Sequence, residues 1–274
     1  MPFFPIGDNN PHRNIEFPFV NWTFIILCGL AFVAALAMNM MNYGMTPAQE
    51  GGTLSIPFLS SLAFYPAELF VSGGGYFGGV PPALALLTNV FIHGSILILG
   101  INLVMLWIMG DNVEDSMGHG RYALFLIVVA LAGSLIRGGV APDSTDPVMG
   151  AGPVVLAVVT AYAMFRPMAK IRLLFVFDMV VHDVPALLFG IVYMAVMIGW
   201  GWSRDVFPWA DFAAIGLALA LVPFFRSEGV ELFDMSPPPE ETAELNMAEK
   251  VGVGLISLAC FIGFIWFLVA LFTR

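Results

Sequence analysis

Seven runs of mostly apolar residues constrain the fold of this 274-residue chain more than any other feature. A helix that crosses a bilayer needs roughly 20 mostly apolar residues, and a helix satisfies its own backbone hydrogen bonds where lipid cannot. Only 11% of the residues are charged, whereas soluble domains carry about 25%. We therefore predict an all-α, polytopic membrane helix bundle, in which the third span is short. The predicted spans are Trp22–Met41, Ala85–Met109, Tyr122–Ile136, Val148–Phe165, Val184–Trp202, Phe207–Phe225 and Val251–Phe272.

A motif runs through the second apolar run and the residues that follow it. Residues 91–102 read Phe-Ile-His-Gly-Ser-Ile-Leu-Ile-Leu-Gly-Ile-Asn, residues 110–115 read Gly-Asp-Asn-Val-Glu-Asp, and residues 118–122 read Gly-His-Gly-Arg-Tyr. This pattern closely resembles the second transmembrane helix of rhomboid intramembrane serine proteases and the turn after it. The resemblance implies a six-helix membrane domain over residues 22–226. It also implies a scaffold role for five residues: His93, Gly110, Glu114, Gly118 and Arg121.

The residues that carry out catalysis in that family are replaced here. Acyl transfer by a serine protease needs a nucleophile, a base that activates it, and donors for the oxyanion. The family's Gly-x-Ser-Gly motif resembles residues 150–153, so Gly152 stands where the serine would be. Its Ala-His-x-Gly pattern resembles residues 213–216, so Ala214 stands where the base would be. Of the two oxyanion side chains on the second helix, Ile98 replaces the histidine and Asn102 remains. We therefore expect this chain not to be an enzyme.

Other residues offer only weak replacements for that chemistry. No histidine follows His182, so a shift in register cannot restore the base. On a helix, His182 and Asp178 would share one face and could act together. Two residues are too few for a metal site. The alternative is that both are ordinary residues of a segment in the membrane interface. We predict that His93 is a packing residue, and we expect no metal or other cofactor.

Basic residues predict the orientation of the bundle. Cytoplasmic segments of membrane proteins carry an excess of Lys and Arg. With the N-terminus inside, seven of these residues are cytoplasmic and three are outside, which predicts a cytoplasmic N-terminus and an outer C-terminus. The resemblance implies the same orientation, and we expect the inner membrane of a bacterium. The seven are Arg13, Arg121, Arg166, Lys170, Arg172, Arg226 and Lys250, and the three are Arg137, Arg204 and Arg274.

Four further segments complete the predicted organisation. Residues 1–21 form a cytoplasmic N-terminal segment, and residues 251–274 hold an added seventh span. Residues 42–84 form a loop rich in glycine, proline and aromatic residues, which is typical of a segment in the membrane interface. Residues 227–250 form an acidic cytoplasmic loop that contains Pro237-Pro238-Pro239. This loop is either a solvated linker or a docking strip for a basic partner surface, with Glu240, Glu241 and Glu244 as its candidate contacts.

Three functional hypotheses follow. In the first, the chain is a non-catalytic, rhomboid-like pseudoprotease that binds transmembrane partners as a subunit or assembly factor of a larger membrane complex. In the second, it is a free-standing factor that binds membrane clients for quality control, as inactive members of the superfamily do. In the third, it is an intramembrane protease with atypical residues. The partners are integral membrane proteins and the bilayer itself, and the net charge of −10 disfavours nucleic acid.

Overall fold

Helices form most of the chain, as the apolar runs predict. The computed structural model describes residues 3–43, 48–50, 53–55, 57–71, 78–175, 181–202 and 208–236, so the predicted seventh span and Glu240, Glu241 and Glu244 lie outside the described residues. The helices are α1 (Phe19–Tyr43), α2 (Pro57–Ser61), α3 (Pro66–Phe70), α4 (Pro82–Thr88), α5 (Ile96–Met105), α6 (Asp111–Met117), α7 (His119–Val140), α8 (Gly152–Phe165), α9 (Ala186–Trp202) and α10 (Trp209–Phe225). Within the described residues, three segments are long and apolar enough to cross a membrane: Phe19–Met38, Ile96–Met117 and His119–Val140.

The second span is displaced along the chain from its predicted position. A short helical stretch over residues 82–91 ends before Ile92. The span itself begins at Ile96 and continues through a π-helical turn, Leu106–Gly110, into α6. Residues 110–115, predicted to form a turn, are therefore helical, and the chain reverses at Gly118. Gly118 has φ of +79°, a conformation that favours glycine.

The lengths of the third and fourth spans are opposite to the prediction. α7 has 22 residues, because its helix extends beyond the apolar run at both ends, to His119 and past Arg137. α8 has only 14 residues, or about 21 Å at 1.5 Å per residue. Every residue of α8 from Val154 to Phe165 is buried. Because other helices surround α8, it need not match the thickness of the hydrocarbon layer.

A small antiparallel sheet, which the sequence analysis did not predict, lies at one end of the bundle. It joins β1 (Phe3–Asp8), β4 (Lys170–Phe175) and β5 (Val181–Pro185) in the order β1-β4-β5. Because β4 follows α8 and β1 precedes α1, the sheet connects the N-terminal segment to the link between the fourth and fifth spans. A second hairpin pairs β2 (Ala48–Glu50) with β3 (Thr53–Ser55).

Part of the predicted interfacial loop packs against the protein. Phe64 is fully buried, and Tyr65 is nearly so. Phe64 also forms a two-way backbone pair with Val148: its N–H donates at 3.0 Å, and its carbonyl accepts at 2.8 Å. The interfacial position of the loop stays a prediction, and these two aromatic residues pack against the protein. Their segment holds the connection between α7 and α8 in position.

Candidate functional site

Gly152, which the resemblance predicts to stand at the position of the family's nucleophile, begins α8. Pro153 follows it, where the missing N–H of proline costs no helical hydrogen bond. A Cβ atom built on Gly152 meets no other atom within 4 Å. The position therefore has room for a side chain, yet it offers neither a hydroxyl nor a thiol.

Ala214, which the resemblance predicts to stand at the position of the family's base, faces the interior of the bundle. Ala214, Ala218 and Val222 are all fully buried along one face of α10, and α10 packs mainly against α7 and α8. The one histidine in the second half of the chain, His182, lies on β5. This strand is beyond the opposite end of α8 from Gly152, and α8 is about 21 Å long.

His93 is hydrogen-bonded to Asn102, the residue retained at one of the two oxyanion positions of the second helix. His93 is buried, and its Nε2 lies 3.1 Å from the side-chain amide nitrogen of Asn102 and 3.3 Å from the backbone nitrogen of Ala151. A backbone N–H can only donate, so Nε2 must be the unprotonated, accepting nitrogen. The Asn102 amide then donates to it as well, and the protonated Nδ1 donates to the carbonyl of Phe91 at 3.2 Å.

This arrangement assigns a role to each residue of the second-helix motif. His93 is a neutral imidazole with both nitrogens bonded, in agreement with the predicted packing role. The N–H that Asn102 directs to His93 is not directed at Gly152. One of the two N–H donors of the Asn102 amide is held by His93, and Ile98 contributes no donor.

The scaffold residues of the motif connect helices across the bundle. Glu114 is fully buried and accepts hydrogen bonds from the backbone N–H groups of Val20 at 3.0 Å and Asn21 at 2.7 Å, in the first turn of α1. A carboxylate at this point satisfies two free N–H groups and complements the helix dipole. Glu114 also bonds to His119 at 2.5 Å.

Arg121 connects the start of α7 to the end of α10. It donates to the carbonyl of Arg226 at 2.8 Å, at the end of α10. Within the turn between the second and third spans, Glu114 bonds to His119. The other bonds of Glu114 and Arg121 attach α1 and α10 to this end of the bundle.

A polar cluster that the sequence analysis missed joins the N-terminal segment to α6. Asp8 accepts hydrogen bonds from the Tyr162 hydroxyl and, at 3.0 Å, from the Asn112 amide. His12 lies 3.1 Å from Asp111. Burial, and then the nearby charge of Asp111, raise the pKa of Asp8 to about 7, although the Tyr162 bond acts in the opposite direction.

Asp115 fixes the next part of the N-terminal segment. Its carboxylate accepts the backbone N–H groups of Arg13, Asn14 and Ile15 at 2.7–3.1 Å. The sequence shows Asp115 and the N-terminal segment, but it does not show that they lie close together. About 100 residues separate the partners of each bond.

The first residues of the acidic loop make hydrogen bonds and an ion pair with the bundle. The N–H of Phe233 donates to the Met164 carbonyl, and the Asp234 carboxylate binds Arg166 and lies 3.8 Å from Arg13. Hydrogen bonds from Ser236 and the two neighbouring arginines lower the pKa of Asp234. Residues 233–236 are therefore attached to the bundle, and the choice between a linker and a docking strip stays a prediction for the loop.

The alternative pair of His182 and Asp178 does not lie on one helix. His182 is an exposed residue of β5, opposite Leu173 of β4, and Asp178 lies outside the described residues. In the part of the chain that the structure describes, no three His, Cys, Asp or Glu side chains are grouped to hold a metal ion.

Comparison with known families gives one result. The family profile described as Rhomboid domain matches residues 82–227, which is more than half of the chain. The match extends from α4 to the residue after Arg226 and so includes both the second-helix motif and the Gly152 and Ala214 positions. Comparison with curated proteins finds no match.

Proposed function

The chain belongs to the rhomboid family of membrane proteins, and on that premise we propose that it is a non-catalytic member that binds the transmembrane segments of other proteins. It acts as a subunit or assembly factor of a larger membrane complex. The observation that carries the proposal is the state of the former catalytic positions. Gly152 and Ala214 have no reactive group, and the retained Asn102 donates to His93.

Two features support a role in binding. α10 packs only lightly against α9, and α9 exposes a row of large apolar side chains that a partner helix would cover: Leu187, Leu188, Ile191, Val192 and Val196. The acidic loop starts from a point that is anchored to the bundle at Asp234.

The inner membrane of a bacterium is part of the same proposal, and the distribution of charge supports a cytoplasmic N-terminus. The described basic residues at the end that carries the sheet are Arg13, Arg121, Arg166, Lys170, Arg172 and Arg226, whereas Arg137 lies in the last turn of α7 at the other end. Six against one is the bias that the positive-inside rule requires for this orientation.

Co-purification tests the proposal. The tagged protein, expressed from its native locus, is extracted in mild detergent, and the proteins that accompany it are quantified. We expect one membrane complex in near-equal amount. A scatter of membrane proteins in small amounts would instead favour a free-standing, client-binding factor. A fluorophosphonate serine-hydrolase probe is applied to the same sample beside an active rhomboid protease, and labelling of the chain would overturn the non-catalytic assignment.

The acidic loop offers a matched pair of variants for the same experiment. The triple change Glu240→Gln, Glu241→Gln and Glu244→Gln removes the proposed contacts with a basic partner surface and should reduce recovery of the complex. Changing the exposed Glu228 and Glu231 to Gln removes charge from the ordered part of the loop and should leave recovery unchanged. Equal recovery with both sets would exclude the loop as the docking strip.

A further inference from the structure

An open apolar groove of about 390 Å³ lies between α1 and α7. The first three turns of each helix line it, together with residues 87–91. Of the described residues in this lining, only Thr23 has a polar side chain, and its hydroxyl donates to the Phe19 carbonyl of its own helix at 2.7 Å. The groove therefore presents no polar group in need of a partner, so its occupant must be apolar.

The described chain ends beside the start of α1. Asp234 pairs with Arg13, and the N–H of Arg13 is in turn held by Asp115 at 3.1 Å. Arg13 is six residues before Phe19, the first residue of α1 and one of the residues that line the groove. The chain beyond Ser236 thus departs from the end of the bundle where the groove begins.

The connecting segment is long enough to reach the groove. Residues 237–250 comprise 14 residues, which span at most about 46–50 Å when fully extended. The six residues from Arg13 to Phe19 span at most about 20 Å. A segment that crosses the membrane after residue 250 can therefore enter beside Phe19 and run parallel to α1.

The predicted seventh span has the side chains that such a position requires. On a helix over residues 251–272, Gly252, Ala259, Gly263 and Ala270 lie along one face, whereas Phe261, Ile265, Leu268 and Phe272 lie along the opposite face. Small residues allow close approach of helices in membranes, where bulky apolar residues suit the lipid. The span contains no charged residue, in agreement with the lining of the groove.

We propose that residues 251–272 pack into the groove between α1 and α7, with Gly252, Ala259 and Gly263 toward it. The proposal rests on three observations together: the apolar groove, the anchored end of the described chain, and the small-residue face of the predicted span. The C-terminal span is then an integral part of the bundle and covers the α1–α7 surface. Partners that bind the protein in the membrane must use other faces.

Cysteine cross-linking at matched depth tests this position. Leu27, Ile127 and Ala259 each lie eight residues after the first residue of their helix or predicted span (27−19, 127−119, 259−251), or about 12 Å along it. In a Cys28→Ala, Cys260→Ala background, we expect Ala259→Cys to form a disulfide within one chain with Leu27→Cys or Ile127→Cys. Controls at Val196→Cys on α9 and Leu219→Cys on α10, both half-exposed, should give none.

A second measurement does not depend on the cysteine-free background. A photo-reactive benzoylphenylalanine at position 27 of the otherwise native chain should cross-link to a peptide from residues 251–272 of the same molecule. Cross-linking to lipid alone, to another protein or to a second copy of the chain would overturn the proposal. So would a disulfide of Ala259→Cys with either control position in place of the α1 and α7 positions.

Discussion

At Gly110, the lack of a side chain allows α1 to pack closely against the second span. A Cβ atom at this position would lie 2.1 Å from Oδ1 of Asn21 and 2.9 Å from the Tyr122 hydroxyl. Asn21 is buried, donates to the Leu106 carbonyl at 2.7 Å and accepts from the Tyr122 hydroxyl at 3.1 Å. There is no direction in which Asn21 can move without losing these buried hydrogen bonds, so any residue larger than glycine separates α1 from the second span.

We therefore predict that Gly110→Ala lowers the free energy of unfolding by about 1–3 kcal/mol, the usual cost of overpacking a buried site. The control is Gly120→Ala in α7, where the added methyl group meets nothing within 4 Å and helix propensity changes by at most about 1 kcal/mol in favour of alanine. Thermal unfolding in detergent measures both variants. Equal melting temperatures would contradict the close approach at Gly110.

The former catalytic positions differ in the space that surrounds them, and this difference gives a second prediction. Gly152→Ser has room for its side chain and should leave stability nearly unchanged. Ala214→His introduces a large side chain at a fully buried site and should destabilise the fold by about 1–3 kcal/mol. The double variant should remain unlabelled by a fluorophosphonate and should not cleave a transmembrane substrate, because Asn102 donates to His93 and Ile98 offers no donor. Labelling of the double variant would show that the remaining geometry is competent.

At the scale of elements, the N-terminal strand β1 depends on a buried carboxyl group. Asp8 faces Tyr162 of α8, Asp111 and Asn112 of α6, and the charge of Arg172 on β4, and its pKa is raised from 3.8 to about 7. A carboxyl group with a raised pKa binds its proton more tightly in the folded state. The docked strand is therefore most stable below about pH 4, loses stability as the pH rises to about 7, and changes little above that value.

We expect amide hydrogen exchange in residues 3–8, corrected for the intrinsic rate, to be faster at pH 8 than at pH 5.5. Asp8→Asn removes the titrating group and should abolish most of this difference, whereas Asp183→Asn on β5 should preserve it. An unchanged pH dependence in Asp8→Asn would assign the effect to another group.

Hydropathy predicted the helices well, and it predicted their ends and the sheet poorly. Apolar runs reveal which residues avoid water, but α6 continues through Asp111, Glu114 and Asp115, because their carboxylates find partners within the protein. α7 extends past the exposed Arg137. β1 and β4 are short and pair across more than 160 residues, so no local pattern distinguishes them from an interfacial loop. The roles of Gly110 and Glu114 followed from the motif, whereas their contacts with Asn21 and Val20 required the fold.

At the scale of the whole molecule, the two ends of the bundle differ in polar content. The end that carries the sheet holds β1, the Asp8 and Asp115 clusters, Arg121 with Arg226, and the anchored start of the acidic loop. At the end that carries Gly152, backbone hydrogen bonds between Phe64 and Val148 attach the loop after α1 to the connection between α7 and α8. The sequence predicted this asymmetry through its basic residues, but the ordered N-terminal segment that accounts for most of it depends on long-range hydrogen bonds.

This asymmetry leads to a prediction for the orientation of the whole protein. In the Cys28→Ala, Cys260→Ala background, a membrane-impermeant maleimide should label Asp143→Cys, which is in the exposed connection between α7 and α8, in intact cells. Lys170→Cys is in the exposed part of β4 and should be labelled only after the membrane is opened. Six of the seven described basic residues lie at the end of the bundle that carries β4. A bundle inserted in the opposite orientation would place all six outside the cytoplasm, against the positive-inside rule. Labelling of Lys170→Cys alone in intact cells would therefore require an inverted bundle, with the former catalytic positions facing the cytoplasm.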